Sequence, residues 1–135
     1  DYEIDEISYG FKGFYSREIG KRAYFRWSPG DSTMVIENSA DKSLKKILSL
    51  ILIRPNSKFQ HASVSITHTI PNSRGFLEMS RYFVLGKKEI EIVLNLKPGT
   101  NYLNFKSDSH HIDNGDPRNI VFGIGNYKLD DFIEY

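Results

Sequence analysis

Hydrophobic and polar residues alternate with a period of two along most of this chain. Ile90, Ile92, Leu94 and Leu96 alternate with Glu89, Glu91, Val93 and Asn95, the pattern of a strand with one face on a core and the other toward solvent. The same period sets Val64, Ile66 and His68 against Ser63, Ser65 and Thr67, places Met34 and Ile36 together within residues 32–37, and points Leu103 and Phe105 inward within 102–106. Ile120, Phe122 and Ile124 share one face of a run over 118–125, and Gly123 and Gly125 leave the opposite face bare. Further strands are expected at 4–9, 11–15, around 81–85 and at 127–133, with Gly10 and Gly13 as bend or bulge points. Turn chemistry separates these runs at Ser28-Pro29-Gly30-Asp31 and at Pro98-Gly99, and loops are expected at 71–75 and 107–118.

Short strands broken by turns predict an all-β fold, an antiparallel two-sheet β-sandwich of jelly-roll-like type. One stretch admits two periods. Leu44, Ile47, Leu48, Ile51 and Leu52 fall at helical spacing, with Asp41 or Ser43 as a cap, which leaves room for one short helix. The same stretch alternates as a strand over 47–53, ended by Pro55. The strand is favoured because its neighbours are strands and isoleucine is frequent in it.

The segment Tyr24-Phe25-Arg26-Trp27 holds the only tryptophan. Aromatic residues in such a run predict a strand with Tyr24 and Arg26 on one face and Phe25 and Trp27 on the other. In one reading Phe25 and Trp27 are core, with the indole between two sheets. In the sharper one Tyr24, Arg26 and Tyr15 form a recognition face.

Length and charge narrow the function classes. The chain has 135 residues, enough for a single domain over 1–135 with a sizeable core. Its start at Asp1 suggests a segment excised from a longer protein. The absence of cysteine excludes disulfides, thiol catalysis and thiolate zinc sites. Eighteen basic against 17 acidic residues give a net charge of +1, which argues against a nucleic-acid partner. No apolar run is long enough to insert this segment into a bilayer.

Polar chemistry concentrates at 107–116. Asp108, His110, His111, Asp113 and Asp116 are candidate ligands for Ca²⁺, but adjacent histidines on an extended chain point opposite ways and no glutamate closes a calcium loop. A solvated loop with an Asp116-Pro117 turn is the plainer expectation, so no cofactor is assigned. No nucleophile elbow, phosphate loop or zinc-protease motif occurs. A paired-carboxylate glycosidase has many acids to draw on and none singled out. His61 and His68 are expected as surface or strand-face groups. Arg118 has two readings, an ion pair to Glu18 or Asp116 that pins the loop, or a bidentate clamp on a ligand.

Gly13-Phe14-Tyr15, Glu18, Phe25-Arg26-Trp27-Ser28, an apolar strand and Pro117-Arg118-Asn119-Ile120 before Gly123-Ile124 occur in that order. This order resembles a β-sandwich accessory domain attached to bacterial glycosyltransferases and other surface-polysaccharide proteins. Asn119 stands where that family more often has aspartate, and Phe122 lengthens the gap from Arg118 to Gly123. The resemblance implies a strand over 47–53 and a non-catalytic carbohydrate-binding or positioning module, associated with the bacterial cell envelope. Sugar faces stack on aromatic rings while planar polar groups read hydroxyls, so the candidate glycan-binding residues are Tyr15, Tyr24, Arg26, Arg118 and Asn119. A second function class is a structural domain that docks on other domains of its parent protein or self-associates through edge strands at 47–53 and 90–96. A hydrolase with a carboxylate pair is a third.

Overall fold

Backbone pairing, rather than helical spacing, organises the chain. In the computed structural model, which describes residues 6–21, 23–55, 61–112 and 115–132, the described residues form ten strands and no helix. They are β1 (Ile7–Lys12), β2 (Glu18–Ile19), β3 (Tyr24–Ser28), β4 (Asp31–Asn38), β5 (Leu44–Arg54), β6 (Ala62–Thr69), β7 (Glu78–Val84), β8 (Gly86–Leu96), β9 (Gly99–Lys106) and β10 (Phe122–Asp131). Two five-stranded antiparallel sheets result, ordered β1-β4-β9-β6-β7 and β2-β3-β10-β5-β8. The β-sandwich expected from the alternation is therefore the observed fold. Among the described residues no helix is long and apolar enough to cross a membrane.

Met34, Ile36, Val64, Ile66, Leu103 and Phe105 of the first sheet bury against Leu48, Leu50, Leu52, Leu94, Leu96, Phe122 and Ile124 of the second. Outside β5, whose two faces are both largely apolar, each of these lies on the apolar side of its alternating run, so the buried faces there are those the pattern marks. The ambiguous stretch is a strand. β5 pairs with β8 without a break from Leu44↔Leu96 to Arg54↔Gly86, and with β10 on its other side. A helix would leave β8 with no ladder partner and one edge of β10 unpaired, so tertiary pairing overrides the local helical period. This interior position also corrects the expectation of a sheet edge at 47–53. β8, with residues 90–96, is an edge, and Val93 is exposed there.

Three other expectations change in detail. The first strand runs through Gly10, which pairs with Val35, and the chain turns instead at Gly13, where φ is 79°. Its expected first residues, Ile4 and Asp5, lie outside the described residues. The runs over 118–125 and 127–133 are not separate. They join as β10, whose register shifts between Gly125 and Lys128, with Asn126 at φ 47°. Asparagine tolerates this left-handed conformation, and the bulge turns Tyr127 inward, where it is buried. The expected end of that last strand, Ile133, is also outside the described residues. Finally, His68 is buried and its Nε2 lies 2.9 Å from Asn101 Oδ1, while Asn101 Nδ2 donates to the carbonyls of Lys97 and Gly99. The side chain expected on the surface thus braces the Pro98-Gly99 turn from within, whereas His61 is exposed.

Candidate functional site

The faces of β3 are decided by its neighbour. β10 pairs Phe122 with Ser28 and Ile124 with Arg26, and it pairs Gly123 with Trp27 and Gly125 with Phe25. Paired residues share a side of the sheet, and Phe122 and Ile124 are fully buried. Tyr24, Arg26 and Ser28 consequently face the other sheet, while Phe25 and Trp27 face outward. The expectation that Phe25 and Trp27 belong to the core, with the indole between the sheets, is thereby corrected. Both are half-buried on the outer face.

Tyr24 and Arg26 are engaged internally. Arg26 Nε donates to the Tyr127 hydroxyl at 3.0 Å, its Nη1 donates to the Tyr15 carbonyl at 3.3 Å, and its guanidinium stacks over the Phe11 ring at 4.4 Å. The Tyr24 hydroxyl donates to the Tyr127 carbonyl at 2.7 Å. Burial, then the neighbouring Tyr9 and Tyr127, raise its pKa above the ordinary tyrosine value. Together these groups clamp β3 to the bulged part of β10.

Tyr15, Arg118 and Asn119 form an adjoining cluster. Arg118 Nη2 and Nε donate to the Asp116 carboxylate at 2.8 and 3.1 Å, and a longer contact of 3.4 Å reaches Glu18. The same guanidinium lies 5.3 Å from the centre of the Tyr15 ring. The Tyr15 hydroxyl donates to the Asn119 carbonyl at 3.1 Å, and the Asn119 side chain is exposed, reaching the Pro29 carbonyl at 3.4 Å. The Arg118 fork is thus occupied by carboxylates of its own chain, the geometry of the loop-pinning ion pair. The five candidate residues fall into two groups that meet at Tyr15.

The Asp116–Arg118 pair has a pH signature. Hydrogen bonds from the Arg118 side chain and backbone hold the Asp116 carboxyl at about 2, below its ordinary 3.8. The same bond raises the Arg118 pKa further above its usual value. A depressed carboxylate contributes stability that is fully present above its unfolded-state pKa and is lost as pH falls through the folded value. The pair is therefore expected to stay intact at pH 4 and to open toward pH 2, followed through the Asp116 carboxyl carbon shift by NMR. Titration of that carbon at an ordinary carboxylate pKa would show that the pair does not form.

Elsewhere in the 107–118 loop, Asp108 and His110 are exposed, and Asp113 lies outside the described residues. Among the described residues no three His, Asp or Glu side chains gather as a metal site. A positive group of the protein itself reaches this loop. Arg54, 1% exposed at the end of β5, donates through Nη1 to the carbonyls of His110 and Val121 at 2.8 and 2.6 Å.

The outer face of the second sheet holds a different feature. Phe25, Trp27, Ile53, Ala23, Gly20, Lys21 and Lys87 line an open groove of about 520 Å³, within the size range of ligand sites. Beneath its aromatic side chains lie the buried glycines of β10. A Cβ placed on Gly123 would stand 2.6 and 2.8 Å from two ring carbons of Trp27, and one on Gly125 would stand 3.2 Å from Ile53 Cδ1. The indole can lie against the sheet only because residue 123 has no side chain. Phe25 meets Trp27 edge-on, with centroids 5.2 Å apart and planes at 66°. No carboxylate lines this groove among the described residues. Sequence reading missed Phe25, Trp27 and Ile53 as site residues. The available signal was the bare Gly123–Gly125 face, which became informative only with the register that sets those glycines opposite the aromatics.

No protein-family model and no curated protein matches the chain. A solved structure does. The N-terminal cellulose-binding domain of Cellulomonas fimi β-1,4-glucanase C superposes over 100% of both chains, with a TM-score of 0.53 at 8% identity. At that identity the likeness is one of fold. A second structure, the enzymatically active domain of bacteriophage CBA120 tailspike protein 4, aligns over 95% of this chain and 20% of its own, with a TM-score of 0.43 and 10% identity.

Proposed function

We propose that this chain is a non-catalytic carbohydrate-binding or positioning module. The observation that carries the reading is the outward groove lined by Phe25 and Trp27, whose side chains pack on the buried glycines of β10. Two half-exposed rings on a rigid sheet offer apolar area to the flat face of a sugar at little conformational cost. The fold likeness to a domain described as cellulose-binding supports the same reading. The motif order that resembles glycosyltransferase-associated accessory domains supports a role in bacterial cell-envelope polysaccharide handling, with a glycan or polysaccharide as the partner. Among the described residues no carboxylate lines the groove, and Glu89 and Glu91, spaced along the outward row of β8, are both exposed.

The test uses the single tryptophan as a reporter. Titration with cello-, xylo- and manno-oligosaccharides is expected to change Trp27 fluorescence and to shift the amide signals of Gly123 and Gly125. Binding near millimolar, about 4 kcal/mol, is expected for a single open site. Shifts confined to the Arg118–Tyr15 cluster would move the site to the residues first singled out, and no shift with any glycan would refute the reading.

A second reading, protein interaction, has its own observation. Phe76, Leu77, Met79, Phe83 and Leu85 are all exposed along or beside β7, an edge strand of the first sheet. Unpaired edges with apolar side chains invite strand addition. Sedimentation showing only monomer, together with no binding to neighbouring domains of the parent protein, would remove it.

A further inference from the structure

The charge around the aromatic groove is one-sided. Its lining holds two ionisable side chains among the described residues, Lys21 and Lys87, and both are cations. They approach from opposite edges of the groove. Lys21 follows β2 at one edge of the sheet, and Lys87 sits on β8 at the other, paired across the ladder with Ile53. Neither takes part in an ion pair with the described residues. Among the described residues, Arg118 is engaged by Asp116 and Glu18, Arg26 by Tyr127 and the Tyr15 carbonyl, and Arg17 over the Tyr24 ring. The sign then reverses along the outward row of β8, where Glu89 lies opposite Ile51 and Glu91 opposite Ser49. These two glutamates line a neighbouring hollow with Ser49, Asn126 and Lys128.

From this arrangement we infer that the groove selects an acidic sugar: a carboxylate-bearing pyranose seated on Phe25 and Trp27, its anionic group drawn by the positive field that Lys21 and Lys87 set up from the two edges. The inference deepens the glycan-binding reading and rests on it. A neutral sugar would use the rings and leave both ammonium groups without a partner. A carboxylate brings charge complementarity to the one part of this face that is purely positive. The glutamates beyond it disfavour a second acid in the same direction, so the ligand carries its charge on one residue rather than on every residue of the chain.

The experiment compares a matched pair, cellotriose and cellotriose oxidised to the carboxylate at C6 of one terminal glucose, titrated against the intact chain and followed by NMR and Trp27 fluorescence. The acidic form is expected to bind about tenfold more tightly at 20 mM salt, and the advantage to shrink to about twofold at 0.5 M salt as screening shortens the reach of the lysines. Lys87→Gln and Lys21→Gln are each expected to reduce the ratio of acidic to neutral affinity severalfold. Equal affinity for the two sugars, or an advantage untouched by both substitutions, overturns the inference and leaves the glycan-binding reading standing. Failure of both sugars to shift the groove overturns the two together.

Discussion

Trp27→Ala is expected to weaken glycan binding about 30-fold, roughly 2 kcal/mol, the scale of a central aromatic anchor. The fold should survive the change, because the indole lies on the outer face rather than between the sheets. Its loss removes no inward contact of β3, whose clamp to β10 is made by Tyr24 and Arg26. Gly123→Val tests the same claim from beneath. The new side chain would occupy the space of the indole, where a Cβ alone stands 2.6 Å from the ring, so Trp27 must lift off the sheet. Valine suits a strand, and the expected outcome is a folded variant with the binding loss of Trp27→Ala. Isothermal titration with the tightest oligosaccharide, alongside amide spectra that confirm the fold, decides it. Undiminished affinity in both variants would exclude the groove as the site.

Arg54→Ala is expected to carry the largest stability cost, about 3–5 kcal/mol, the scale of losing two buried hydrogen bonds from a charged donor together with the packed side chain. Burial lowers the pKa of this guanidinium, a sign of the desolvation that its hydrogen bonds must offset. Without it the carbonyls of His110 and Val121 lose their donor, and a void opens beneath the 107–121 segment. Ile112 and Ile120, both fully buried, are joined by the Ile112 amide donating to the Ile120 carbonyl at 2.7 Å, so the loop and the end of the sandwich should loosen together. For a chain of this length the midpoint of thermal unfolding should fall by roughly 10–18 °C. Chemical denaturation gives the free energy directly. A cost under about 1 kcal/mol would show that the loop is held by other contacts. Because the groove is built from β3, β10, β5 and β8, binding by the folded fraction of Arg54→Ala should change little, which separates this effect from that of Trp27→Ala.

Much of the fold was legible along the chain, and the reasons are particular. Residues 90–96 and 32–37 follow a period of two, and every inward side chain there is buried or half-buried. The 44–54 stretch was harder, since leucine and isoleucine at both periods fit a helix or a strand, and only pairing with β8 and β10 separates them. The site was legible as composition but not as placement. Tyr24-Phe25-Arg26-Trp27 announces a strand with two unlike faces, and its own residues favour burying the larger apolar pair. Arginine enters the interior instead because its head finds Tyr127 and its plane finds Phe11.

By itself the amino-acid order determined the strands, their turns and the apolar side of most of them, because side-chain period and turn chemistry are local properties of the backbone. Only the tertiary structure decided which side of β3 meets solvent and which residues line a groove. Those depend on the register of β10, nearly a hundred residues away, where burial of Phe122 and Ile124 turns Gly123 and Gly125 outward and so leaves the indole a bare surface to lie on.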